Sequence, residues 1–195
     1  MKEQNDLSQK LKDWQEEQKS YIEEIKELVQ QLTMPEKIQI ICYFTYSLQL
    51  NHEINLDNYV IGSFHVQNVG TKPLTNPHIG LTISSNTEFQ FSGKYLYPNA
   101  KQTLRPSNAW ERINDRSDKK EFWLKPIQQD RVNPGETLVF SNFQIKWTPT
   151  STYSGIVRGF TYGNELPNGL HAVNQISVNG SIKDRQQEDD HHEKK

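Results

Sequence analysis

The sequence is poor in the residues that staple a fold or carry it through a membrane. A single cysteine, Cys42, stands among 195 residues. That excludes an internal disulfide framework and a multi-cysteine zinc site, and it fits a reducing compartment. No apolar run approaches the ~18 residues that a membrane-spanning helix needs, and the mean hydropathy is −0.84. Hydrophobic residues make up only 33% of the chain. The segment from Met1 to Tyr21 is charged throughout and has no apolar h-region, so no secretory signal is visible and a cytoplasmic location is expected. A net charge of −2 gives no general attraction to polyanions, so neither a membrane nor a nucleic acid is expected as a partner.

The motifs of common catalytic sites are missing as well. There is no Gly-x-Ser-x-Gly elbow, P-loop, Gly-x-Gly-x-x-Gly or His-Glu-x-x-His. Cys42 lies on the apolar face of a strongly alternating segment, where a thiol is a core residue with a raised pKa rather than a nucleophile. Of six histidines, only His191 and His192, in Asp189-Asp190-His191-His192-Glu193, have neighbours at metal-ligand spacing, and that run reads as a solvated tail. The carboxylates of Asp57 and of Asp115-Arg116-Ser117-Asp118 match no calcium loop. The chain is therefore expected to be non-enzymatic, with no cofactor and no metal.

What is present divides into three parts. Residues 1–36 carry five Lys against nine Asp and Glu, and no glycine. Residues 37–182 hold all ten glycines and eight of the nine prolines. Residues 183–195 are almost entirely charged and polar and cannot bury enough surface to offset their ordering entropy, which predicts a disordered tail. The expected organisation is a coiled-coil helix over 1–35, a β-sandwich over 36–182 and the tail over 183–195.

The helix carries a heptad. Alternate steps of three and four from Gln4 reach Leu7, Leu11, Trp14, Gln18, Tyr21, Ile25, Leu28 and Leu32 without a slip. An a/d stripe with period 3.5 is the seam of a left-handed coiled coil. The intervening Lys, Glu and Gln are good helix formers, and Pro35 disfavours helix at Met34. Ile22 and Val29 widen the seam, which suits more than one neighbour. A homo-oligomer through residues 4–32 is expected, with docking of the helix on its own β domain as the alternative.

After Pro35 the period becomes two. From Ile38 to Leu50 every even position is apolar, which predicts a long strand that bends or bulges partway. Val60 to Val66, Ile79 to Ile83, Phe122 to Ile127, Ile156 to Tyr162 and Val173 to Val178 add further strands, with Pro167-Asn168-Gly169 as a turn between the last two. Asn133-Pro134-Gly135-Glu136 has proline and glycine where a type II turn requires them. The apolar facing flips between Phe140 and Phe143, which places a β-bulge at Ser141 or Asn142. Seven or eight strands with no later helix predict a mainly β fold, an antiparallel two-sheet sandwich behind the N-terminal helix. The stretch from Gly93 to Glu121 does not alternate and reads as a long connection. Tyr95, Tyr97, Arg105, Trp110 and Arg112 make it a candidate ligand-binding loop, in which rings stack and cations pair. The alternative is that the aromatics tuck beneath it and the charges are ordinary surface.

Phe64-His65-Val66-Gln67-Asn68-Val69-Gly70, Pro73-Leu74, Ile79-Gly80-Leu81 and Asn133-Pro134-Gly135-Glu136, followed by Phe140, Phe143 and Trp147, resemble bacterial immunoglobulin-like modules. The order Phe91-Ser92-Gly93, Tyr97, Trp110, Pro134-Gly135-Glu136, Trp147 is similar to that of the immunoglobulin-like intracellular proteinase inhibitors of Gram-positive bacteria. The long 93–121 segment and the N-terminal helix depart from those inhibitors, and no inhibitory residue carries over. The function expected is that of a non-catalytic interaction or structural protein, a stalk that clusters β-sandwich heads. By analogy of plan it would be a phage or prophage assembly part or a cytosolic scaffold, with an unidentified protein or a glycan as partner. A proteinase inhibitor and a carbohydrate-binding module are the alternatives.

Overall fold

The computed structural model describes residues 2–32, 35–51, 53, 55–98 and 108–181, with helix side chains described from Lys10 to Val29. The chain divides into two compact units between Glu36 and Lys37. The expected tail, including His191 and His192, lies outside the described residues.

The first unit is one helix, α1 (Lys2–Leu32), of 31 residues. At 1.5 Å per residue it is about 46 Å long. Nothing in it breaks the backbone ladder, and Tyr21 Oη donates to Glu17 Oε1 one turn back at 3.2 Å.

The second unit is mainly β, with thirteen strands among the described residues: β1 (Ile40–Gln49), β2 (Asn58–Asn68), β3 (Leu74–Thr75), β4 (His78–Ser85), β5 (Gln90–Ser92), β6 (Tyr95–Leu96), β7 (Trp110–Arg112), β8 (Glu121–Pro126), β9 (Arg131–Val132), β10 (Thr137–Trp147), β11 (Tyr153–Gly163), β12 (Leu166–His171) and β13 (Ile176–Gly180). One sheet runs β1-β2-β10-β5 and a second runs β12-β11-β4-β8-β7-β6, with β13 also on β11; β3 and β9 form a short pair. Every pairing is antiparallel except β6 with β7.

Both larger sheets contribute to one buried cluster, which includes Cys42, Phe44, Phe64, Phe140, Phe143 and Trp147 from the first and Leu81, Phe122, Leu124 and Val157 from the second. Its rings touch throughout: Phe44 and Phe64 lie 4.8 Å apart, Phe91 and Phe122 4.2 Å, and Phe89 and Trp147 4.9 Å. The inward face of β11 reads Tyr153, Gly155, Val157, Gly159, Thr161 and Gly163. Gly155 and Gly159 are slots for rings: a β-carbon at Gly159 would stand 2.8 Å from Phe44 Cζ and 2.9 Å from Phe64 Cζ, and one at Gly155 would strike the Phe89 ring.

Several local expectations meet the structure directly. The bulge falls at Ser141-Asn142, where pairing steps from Phe140↔Phe64 to Phe143↔Gly62 and Asn142 takes φ 56°. The turn at Asn133 to Glu136 closes with the Glu136 amide on the Asn133 carbonyl at 3.0 Å, and Gly135 has φ 81°.

Others are corrected. The count of seven or eight strands is too low, because two- and three-residue strands leave no alternation to read. β1 pairs with β2 over all ten residues without a register shift, so it has no bulge. Its even positions are buried only to Phe44, and Tyr46 and Leu48 are exposed. Pro167-Asn168-Gly169 is not a turn but part of edge strand β12, where proline forfeits no ladder bond it would need; the turn is at Asn164-Glu165. The 93–121 stretch is not one free connection, since β6, β7 and the first residue of β8 lie in it.

Candidate functional site

Leu11, Trp14, Tyr21, Ile22, Ile25, Leu28 and Val29 are each 51–58% exposed, and Gln18, the interior polar position of the stripe, is exposed with them. The side chains of Leu7 and Leu32 lie outside those described. Five of these large apolar groups have coiled-coil spacing, with Ile22 and Val29 beside them, and together they make a surface that water solvates poorly.

The residues read as a ligand-binding loop separate into two kinds. Trp110 is buried in β7, with its ring edge-on to Phe140 at 5.4 Å. Arg112 is only 2% exposed and lies 4.5 Å above the Phe122 ring. Its Nε donates to Asn114 Oδ1 at 3.0 Å, and its Nη2 donates to the carbonyls of Asp115 at 2.9 Å, Asp118, and Glu121 at 3.1 Å. Arg112 thus clamps the turn between β7 and β8 from beneath. Two aspartates complete that turn. Asp115 Oδ1 accepts from the Ser117 hydroxyl and amide, each at 2.7 Å, and Asp118 Oδ1 accepts from the amides of Lys120 at 2.8 Å and Glu121 at 2.9 Å. These donors hold both carboxyls below their ordinary range.

Tyr95 and Tyr97 remain at the surface, half-buried, with ring centroids 5.7 Å apart. They line a cleft of about 270 Å³ together with Phe91, Glu88, Arg116 and Lys119. The Arg116 guanidinium lies 4.7 Å over Tyr97 and Lys119 Nζ is 3.2 Å from Glu88, so both rim cations already have partners. Desolvation and the neighbouring Tyr97 push the Tyr95 hydroxyl up. Arg105 lies outside the described residues.

Cys42 is fully buried, its Sγ 3.6 Å from the Leu170 carbonyl, and burial pushes the thiol up. Among the described residues no three His, Cys, Asp or Glu side chains gather as a metal site, and no helix is long and apolar enough to cross a membrane.

One ring cluster escaped the sequence reading. His78 (β4), Trp123 (β8) and Tyr162 (β11) meet on the outward face of the second sheet. His78 and Tyr162 stack at 5.3 Å and 12°, Trp123 and Tyr162 are 5.3 Å apart, and His78 and Trp123 6.3 Å. All three are half-buried. Their sequence separations of 39 to 84 residues leave no local signal. The one clue was that each opposes the inward-facing residues of its own strand.

No family model matches the chain, and no curated protein matches it. Two solved structures of a GH20 exo-β-N-acetylglucosaminidase from Vibrio harveyi are similar to it, one in complex with N-acetylglucosamine at 5% identity and one of an inactive mutant at 6%. In each the similarity covers 74% of this chain and 18% of that chain, with a TM-score of 0.29. The chain spans less than a fifth of that enzyme's length, and a likeness this low says nothing of function.

Proposed function

We propose that the protein is a non-catalytic interaction protein in which helix α1 associates with copies of itself as a coiled coil and so clusters the β units. The observation that carries this reading is the exposed 3.5-residue seam from Leu11 to Leu28. A helix matching that seam in period and polarity is its natural occupant, and the same helix of a second chain supplies one. Ile22 and Val29 beside the stripe favour more than two helices. Clustering gives weak sites on the heads a joint affinity well above that of one alone. The β unit in this reading is a two-sheet, immunoglobulin-like sandwich, and a cytoplasmic setting accords with the single buried thiol.

The proteinase-inhibitor alternative rests on the 93–121 segment, whose described part includes β6, β7 and the turn held by Arg112. Residues 99–107 of that segment lie outside the described residues. The test of the main reading is the helical melt of the full chain across a hundredfold range of protein concentration. An associated helix melts at higher temperature as concentration rises; a concentration-independent melt would refute the proposal.

A further inference from the structure

We propose that the outward ring cluster of His78, Trp123 and Tyr162 is a binding platform for the pyranose rings of an oligosaccharide. The proposal adds a ligand to the binding-head reading above and needs only that the β unit present this face.

The platform is built by register. Gly80 pairs with Trp123 on one side and Phe160 on the other, and His78 pairs with Tyr162. With no side chain at Gly80, the six-membered ring of Trp123 lies down over β4, 3.2–3.4 Å from where a β-carbon would stand. The ring therefore lies along the sheet instead of standing up from it. Two residues further along β4, on the same face, Thr82 pairs with Glu121 and with Arg158, so a carboxylate and a guanidinium flank the rings. Glu121 Oε2 accepts from Trp123 Nε1 at 3.3 Å, and no ion pair among the described residues engages Arg158.

This combination selects its occupant. Whole aromatic side chains bury roughly 150–250 Å², so three half-buried rings offer a few hundred Å² at most. That falls well short of the roughly 800 Å² per partner of a stable protein interface, but it is enough for one or two sugar rings. Trp123 Nε1 is spent on Glu121, and His78 Nδ1 lies 3.4 Å from the Asn76 carbonyl oxygen. The Tyr162 hydroxyl and His78 Nε2 are therefore the ring atoms that would meet a ligand's hydroxyls, and an apolar docking face would lack them. A sugar is apolar on its C–H face and hydroxylated at its edge. It can lay that face on Trp123, with Tyr162, tilted 47° to that ring and itself stacked by His78, meeting it edge-on, while a hydroxyl bridges an acceptor at Glu121 and a donor at Arg158. The balanced charge of that rim argues against a polyanion.

The test is a glycan array with the full chain, followed by calorimetric titration with the hexaoses of β-1,4-glucose, β-1,4-N-acetylglucosamine and α-1,4-glucose, and with a ten-residue oligothymidylate. At least one glycan is expected to bind. Trp123→Ala and Tyr162→Ala should each weaken it tenfold or more, and Arg158→Ala with Glu121→Gln about threefold to tenfold. Tyr97→Ala, in the cleft at β6, should leave it unchanged. The rim pair, being exposed, decides the matter if a ring variant fails to fold by circular dichroism. No bound glycan, binding of the oligothymidylate alone, or equal affinity in the ring and rim variants would overturn the proposal. Titration reads single sites and light scattering on the same sample reads association, so a monomer that binds sugar would refute the stalk alone, and an oligomer that binds none would refute the platform alone.

Discussion

Replacing Gly159 by alanine isolates the way the two larger sheets meet. A new methyl there would stand 2.8 Å from Phe44 Cζ and 2.9 Å from Phe64 Cζ, with Phe64 Cε2 closer still. Favourable carbon–carbon contact lies at about 3.5–4.0 Å, so the rings must retreat by roughly 1 Å. Neither can do so freely, since both are buried, 4.8 Å from each other, and Phe44 also meets Phe143 edge-on at 6.1 Å. In an open strand the same change would stabilise by about 0.4–1 kcal/mol through the unfolded chain. Here overpacking of about 1–3 kcal/mol exceeds that gain, and the net loss should be about 1–2 kcal/mol. For a domain of this size that lowers the melting temperature by roughly 2–8 °C. Thermal melts of wild type, Gly159→Ala, Phe64→Leu and the double variant form a cycle in which the pair should be less damaging than the sum of the singles, because the smaller side chain vacates the slot. A neutral or stabilising Gly159→Ala would refute the ring-slot account.

Arg112→Lys should destabilise by about 2–4 kcal/mol, because one ammonium cannot reach Asn114 and three carbonyls at once and leaves acceptors unpaired; denaturant titration reads it, and Arg116→Lys is the exposed control. Gln18→Leu should raise the helical melting temperature and broaden the distribution of oligomers, since a seam amide costs stability while fixing register; circular dichroism with sedimentation velocity checks both. Asp115, Asp118 and Glu136 are held low by hydrogen bonds from Ser117, from the amides of Lys120 and Glu121, and from Asn133. A folded value below the unfolded one contributes stability that is complete about a unit above the unfolded values of 3.8 and 4.5, so from about pH 5.5 upward, and is lost as pH falls through the folded values. Melting temperature should therefore begin to drop below about pH 5, and these groups should add no slope between pH 6 and 8.

Which features were legible follows from how local their causes are. The turn at Asn133 to Glu136 and the bulge at Ser141-Asn142 were readable because each is set by neighbouring residues, one by Pro134 and Gly135, the other by the shift from Phe140 to Phe143. The buried face of β11 was not readable, because Gly155, Gly159 and Gly163 carry no apolar signal, while the apolar Ile156 and Phe160 lie on the other face. Arg112 looked like a surface cation, since its acceptors are carbonyls that the turn brings together only on folding. Trp110 looked available to a ligand for the same reason: its burial depends on Phe140, thirty residues on. The platform of His78, Trp123 and Tyr162 depends on the pairing of β4 with β8 and β11, which no window of sequence contains.

The central claim is that α1 holds several chains together, and sedimentation equilibrium of the full chain beside Ile25→Asp tests it most directly. The wild type should give a mass that is a whole multiple, two or greater, of 22.8 kDa. The variant, with a charge in the middle of the seam, should fall toward a single chain while its β signal is retained. A wild-type mass of one chain, or an Ile25→Asp mass equal to that of an oligomeric wild type, would contradict it.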